Sequence, residues 1–183
     1  DLLMDGLKLV GRQTSTSGGP LDLLGVDGDG RLVVVELKRG TLTREAVAQV
    51  IDYGSYLAGL EPKELSEHIS QRSGYLATER IEDFLSWYQE QFAKSFPAEQ
   101  KPRLLLVGLG VDERARRMVS FLAEGEIDIS LITFHAFAQG ENLFLARQVE
   151  IEAEPSARSA SSTKYDNLHR LRKRVDQFKV ADF

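Results

Sequence analysis

Residues 20–40, Pro-Leu-Asp-Leu-Leu-Gly-Val-Asp-Gly-Asp-Gly-Arg-Leu-Val-Val-Val-Glu-Leu-Lys-Arg-Gly, constrain this chain more than any other stretch. Leu21 to Val26 and Leu32 to Leu37 are short, apolar and partly β-branched, and turn residues separate them, which predicts two strands paired as a hairpin. A loop Gly28-Asp29-Gly30, a type I turn closed by a left-handed glycine, sets a register with Asp22 opposite Glu36. Alternation then puts Asp22, Glu36 and Lys38 on one face and Val33, Val35 and Leu37 on the other. Leu32 and Val34 share the Glu36 face, so the second strand reads as central and covered on both sides. Carboxylates in such a place lose several kcal/mol of hydration unless a cation or partner compensates, and oxygen donors favour Mg²⁺ or Mn²⁺. Asp followed by Glu-x-Lys also arises by chance, and an exposed edge strand would carry the same charges in solvent; apolar residues on both faces argue against the edge.

The next segment, Thr43 to Leu60, has a candidate N-cap in Thr43, Glu45 in the first turn, and helical apolar spacing at Val47, Val50, Ile51, Gly54, Leu57 and Ala58. An amphipathic helix packed on the sheet is predicted. Gln49 and Tyr53 lie one turn apart on one face of it, and the helix follows Glu36 and Lys38 so closely that both side chains can reach the same site. The plainer alternative leaves Tyr53 at the core edge and Gln49 in solvent.

Taken together, Gly19-Pro-Leu-Asp22-Leu-Leu, Val35-Glu36-Leu37-Lys38 and Gln49-Val-Ile-Asp-Tyr53 resemble the PD-(D/E)XK nuclease superfamily, and within it the NucS/EndoMS-like branch with its RecB-like endonuclease domain. Gly6 to Gln13 is similar to the first strand of that domain, and a looser match runs to about residue 150. The resemblance implies an α/β fold with a restriction-endonuclease-like core, a central mixed β-sheet flanked by helices. It implies DNA endonuclease activity dependent on Mg²⁺ or Mn²⁺, leaving a 5′-phosphate and a 3′-hydroxyl. By the same resemblance Asp22, Glu36 and the carbonyl of Leu37 bind metal, Lys38 assists the attacking water, and Gln49 and Tyr53 orient active-site groups or the scissile phosphate. Many superfamily members add an acid on a helix before the first strand. This chain has only Asp5 there, so the expectation is an N-terminus that is incomplete, with a DNA-binding domain upstream.

Further on, residues 62–97 read as helical, with Ile81, Phe84, Leu85, Tyr88 and Phe92 spaced for one buried face. Trp87 or Tyr88 could stack on bases, although packing in the core is what such spacing usually means. Arg103 to Gly110 reads as a buried strand, Asp112 to Glu124 as a helix and Ile127 to Phe134 as another strand. Gly108-Leu-Gly110 lacks the third glycine of a dinucleotide fingerprint and any following Gly-Lys-Ser/Thr, so it is read as a turn. Asp27-Gly-Asp-Gly30 superficially matches a calcium loop, yet position twelve is Lys38 and strands flank it. His68, His135 and His169 show no metal spacing.

With 183 residues, 42 % of them hydrophobic, one domain with one core is expected, over 1–153. A connector rich in Ser and Ala follows at 154–163 and a basic amphipathic helix at 164–183, whose Arg170, Arg172, Lys173 and Arg174 either contact phosphates or sit in solvent. Residues 156–183 hold seven Lys or Arg against three Asp, so the remainder, with sixteen basic and twenty-five acidic residues, is strongly acidic. That argues against a tight nucleic-acid binder but not against a metal-dependent enzyme with a local groove outlined by Arg12, Arg39 and Arg44. No apolar run approaches the roughly 20 residues of a membrane span, and the absence of cysteine fits a reducing cytoplasm. The leading expectation is an endodeoxyribonuclease acting on single-stranded, branched or mismatched DNA, possible as a homodimer. The competing one is a nucleic-acid- or protein-binding module that keeps the fold without cutting. A small-phosphate binder using Gly108 to Gly110 is a distant third.

Overall fold

The computed structural model describes residues 3–16, 19–72, 80–97, 101–140 and 142–153. The connector 154–163 and the segment 164–183, with Arg170, Arg172, Lys173 and Arg174, lie outside the described residues. The chain begins with a meander, β1 (Lys8–Thr16), β2 (Gly19–Val26) and β3 (Leu32–Leu37), in which both pairings are antiparallel. The hairpin forms as its turn residues dictate. Gly30 N–H donates to the Asp27 carbonyl, Asp27 N–H to Arg31, and Gly30 takes φ +80, a conformation that glycine alone adopts without strain. Pairs Val26↔Leu32 through Leu23↔Val35 carry that register along the ladder, and continuing it brings Asp22 to Glu36. At the turn end, Arg31 bonds Asp27 and Asp128, and Arg103 also bonds Asp128, fastening the hairpin to the rest of the sheet.

After β3 come a short β4 (Thr41–Leu42) and helix α1 (Arg44–Ala58), then α2 (Pro62–Arg72), α3 (Phe84–Phe92), β5 (Arg103–Gly108), β6 (Gly110–Val111), α4 (Glu113–Glu124), β7 (Ile129–Gln139) and β8 (Asn142–Ile151). The main sheet is mixed, in the order β1-β2-β3-β5-β7-β8, with β3, β5 and β7 parallel. Strand β3 is therefore central, as its apolar faces require. One face packs Leu24, Val26, Leu32, Val34, Leu104 and Leu106 beneath the helices. The other is a smaller cluster, Val33, Val35, Leu105, Val107 and Ile132, covered by Leu3, Met4 and Leu7. Each fully buried Val or Leu contributes about 1.5–3 kcal/mol, so the helical face holds most of the stability.

Three details depart from the spacing-based reading and one agrees with it. Residues 62–97 hold two helices, not one run, because Asp83 accepts from Leu85 and Ser86 N–H and so starts α3 afresh; Ile81 packs in the core just outside it. Tyr88 is buried and Trp87 packs on Phe84, which is the core packing that the spacing favours over stacking on bases. Gly110 is not turn alone but pairs with Thr41 in a two-stranded β4–β6 ribbon. Finally, β7 continues past Phe134 and pairs with β8, which apolar periodicity missed because residues 135–140 and 145–149 are exposed. No helix among the described residues is long and apolar enough to cross a membrane.

Candidate active site

Asp22, Glu36 and Lys38 meet at the end of the hairpin opposite its turn. Asp22 Oδ2 accepts from Leu37 N–H at 2.8 Å, which locks the carboxylate to the neighbouring strand. Glu36 is 1 % exposed, and its Oε1 lies 2.6 Å from Lys38 Nζ. Its other oxygen, Oε2, is buried with no hydrogen-bond partner. Burial pushes the Glu36 carboxyl above its ordinary range; the hydrogen bond from Lys38 opposes this, and the Asp22 charge adds to it.

Helix α1 supplies the second half. Thr43 caps it with extended backbone and no side-chain bond, and Ala46, Val47, Val50, Tyr53, Gly54 and Leu57 form its buried stripe. Ile51 is only partly buried and Ala58 is exposed, at the margins of that stripe. Loop 39–43 is held firmly in front of the helix, since Leu109 N–H donates to the Gly40 carbonyl and Asp112 N–H to the Leu42 carbonyl. Gln49 and Tyr53 thereby face the hairpin. Lys38 Nζ donates to Gln49 Oε1 at 3.2 Å, Gln49 Nε2 donates to Tyr53 Oη at 2.7 Å, and the Tyr53 hydroxyl donates to the Pro20 carbonyl at 2.9 Å. The bonds run in one direction. Because Tyr53 fixes which end of the Gln49 amide it receives, the amide oxygen is the end turned to the lysine.

The structure thus brings Asp22, Glu36, Leu37, Lys38, Gln49 and Tyr53 together. Arg12 is exposed on β1, paired with Leu23 beside Asp22. Arg39 lines a cleft of about 430 Å³ with Leu37, Lys38, Val107, Gly108, Leu109 and Phe134, on the sheet face away from the helices. Arg44, at the start of α1, bonds Glu45 at 2.8 Å. Sequence reasoning missed the Pro20 carbonyl and this apolar cleft. A backbone acceptor has no side-chain signature, and Leu109 and Phe134 join Leu37 only through the order of strands.

Asp22 and Glu36 are hard oxygen donors on neighbouring strands, and among the described residues no three His, Cys, Asp or Glu side chains gather as a metal cluster. Two carboxylates, one with a buried oxygen lacking a partner, fit a divalent cation that completes its shell with water and substrate oxygens.

The family model described as the endonuclease NucS C-terminal domain matches residues 1–82. The curated endonuclease NucS of Sulfolobus acidocaldarius is 37 % identical over 68 residues, covering 37 % of this chain and 25 % of the relative. Two solved structures are similar: an EndoMS–dsDNA complex, 20 % identical with TM-score 0.43 over 72 % of this chain, and a repair endonuclease from Pyrococcus abyssi, 22 % identical with TM-score 0.40 over 68 %. The chain spans 38 % of each of those structures and about a quarter of the curated relative.

Proposed function

We propose that this chain, whose residues 1–82 match the endonuclease NucS C-terminal domain, is the hydrolytic part of a Mg²⁺- or Mn²⁺-dependent DNA endonuclease, with Asp22, Glu36 and the Leu37 carbonyl as metal ligands. One observation carries the proposal: the Glu36 carboxylate, nearly inaccessible in an apolar strand, has one oxygen on Lys38 and the other without any partner. A purely structural glutamate there costs several kcal/mol of lost hydration, which the one bond to a partly exposed lysine offsets only in part. When bound, the cation lowers the pKa of a water and neutralises charge on the phosphoryl group.

The remaining steps belong to the chain's own residues. Asp22, tied to Leu37 N–H, and Glu36 fix where the phosphate is addressed. Lys38, partly exposed and held between Glu36 and Gln49, keeps its ammonium beside the two acids, where it stabilises charge developing on a phosphoryl oxygen. Water attacks phosphorus in line, the bond to the 3′ oxygen breaks, and a 5′-phosphate and 3′-hydroxyl remain. Arg12, Arg39 and Arg44 bear on the backbone phosphates and set register rather than sequence.

The test is cleavage of labelled single-stranded, branched and mismatched DNA with Mn²⁺ or Mg²⁺ by the wild type, Asp22→Ala and Lys38→Ala. Metal-dependent cutting lost in both variants supports the proposal. A folded wild type that neither cuts these substrates nor binds Mn²⁺ by calorimetry is a binding module instead.

A further inference from the structure

We propose that Gln13 is a substrate-positioning residue of this site, its carboxamide donating to a phosphate oxygen of the strand held at Asp22; the proposal rests on the nuclease reading. Among the described residues, three that are not glycine have positive φ: Gln13 at 49°, Ala93 at 54° and Glu126 at 64°. Ala93 ends α3 as its left-handed cap, and Glu126 follows the C-cap Gly125 of α4, so both conformations are what helix ends require. Gln13 ends nothing. It lies inside β1, between the regular pairs Arg12↔Leu23 and Thr14↔Leu21, which bracket Asp22 on the next strand.

The irregularity is concentrated there. The β1 register slips between Leu9 and Gly11, and a Cβ on Gly11 would stand 2.5 Å from Thr14 Oγ1, so the strand is pinched just before Gln13. Thr14 Oγ1 itself is buried without a partner. A strand bent at that cost beside one candidate ligand, and regular in its pairing further along, fits a device that re-aims a side chain; bulges and left-handed residues recur next to active sites for this reason. Gln13 makes no regular ladder pair of its own, but its neighbours pair with the two residues flanking Asp22, so the exposed Gln13 side chain sits across from Asp22 and beside whatever Asp22 holds. The residue type suits the task. Lysine or arginine there would pair with Asp22 and compete for its oxygens, and glutamate would repel the phosphate, whereas a carboxamide donates without either penalty.

Gln13→Ala removes the side chain and keeps the backbone strain, while Gln13→Gly removes both. With the full chain and a labelled DNA substrate, both variants are expected to raise KM about tenfold and leave kcat within about twofold, the pattern of a lost binding contact. The Gly variant is expected to melt about 2–4 °C above the Ala variant. Unchanged KM in both overturns the proposal, as does a loss confined to Gly, which would make backbone shape the active feature. Equal melting of the two overturns the strain argument. If the wild type cuts and Asp22→Ala does not while the Gln13 variants match wild type, only this inference fails; a folded wild type that does not cut takes the nuclease reading with it.

Discussion

Replacing Tyr53 by Phe removes one oxygen atom, and the structure says what that oxygen holds. The ring is fully buried, so its packing survives the change, but the hydroxyl gives up a 2.9 Å bond to the Pro20 carbonyl and a 2.7 Å bond from Gln49. A net hydrogen bond contributes about 0.5–1.5 kcal/mol. Pro20 is exposed and Gln49 only half-buried, so water can replace both partners and the loss sits at the low end, about 1–2 kcal/mol in total. For a domain of this size that lowers Tm by roughly 2–8 °C. The effect on catalysis is larger. Once Tyr53 no longer receives its amide, Gln49 can turn its NH₂ toward Lys38 and push the ammonium from its place beside Glu36. We expect a fall in kcat of about tenfold or more, because small misplacements of reacting groups are that costly. The decisive assay is a double-mutant cycle read by metal-dependent cleavage and by thermal denaturation. In a Lys38→Ala background, Tyr53→Phe should cost the same stability but no further activity. Independent, additive rate losses in the double variant would refute the claim that Tyr53 acts through the lysine.

Two further outcomes follow from the same geometry. Burial raises the folded-state pKa of Glu36 above its unfolded value, so the protonated acid stabilises the fold below the ordinary glutamate range and that stability is lost as pH rises through the raised value; Glu36→Gln should therefore match wild type near pH 4 and melt above it at pH 7–8 without metal, and a Gln variant that gains nothing with pH contradicts the assignment. Gly30→Ala should destabilise by about 1–3 kcal/mol in chemical denaturation, since φ +80 excludes the methyl group's easy accommodation and its Cβ would meet the partly buried Pro97 ring; a change under about 0.5 kcal/mol would mean the turn relaxes freely.

The legible parts of this fold were those where local chemistry and burial agree. Hairpin β2–β3 could be read with its register because Asp27, Gly28, Asp29 and Gly30 fix the turn, and a one-residue slip would drive Leu32 and Val34 out of the core. Helix α1 could be read because its stripe is broken by only two polar partners, Gln49 and Tyr53, spaced one turn apart and now seen bonded to each other. What stayed hidden lacks a periodic signal. Strand β8 pairs through a mostly exposed ladder, so no alternation marks it. The pinch at Gly11 to Thr14 is a conformation imposed by the sheet, and a glutamine gives no hint of positive φ. Asp22 and Glu36 themselves are the instructive case. Their residue types are ordinary, and what sets Glu36 apart is an apolar strand that isolates it from water while Asp22 beside it stays partly exposed, so the sequence betrays the site through the hydrophobic residues around Glu36 more than through the acids. An acid surrounded this way is destabilising until something binds it. The stability lost at Glu36 and the chemistry proposed for it are therefore one property, and a divalent cation that raises the melting temperature of the wild type but not of Glu36→Gln would register both at once.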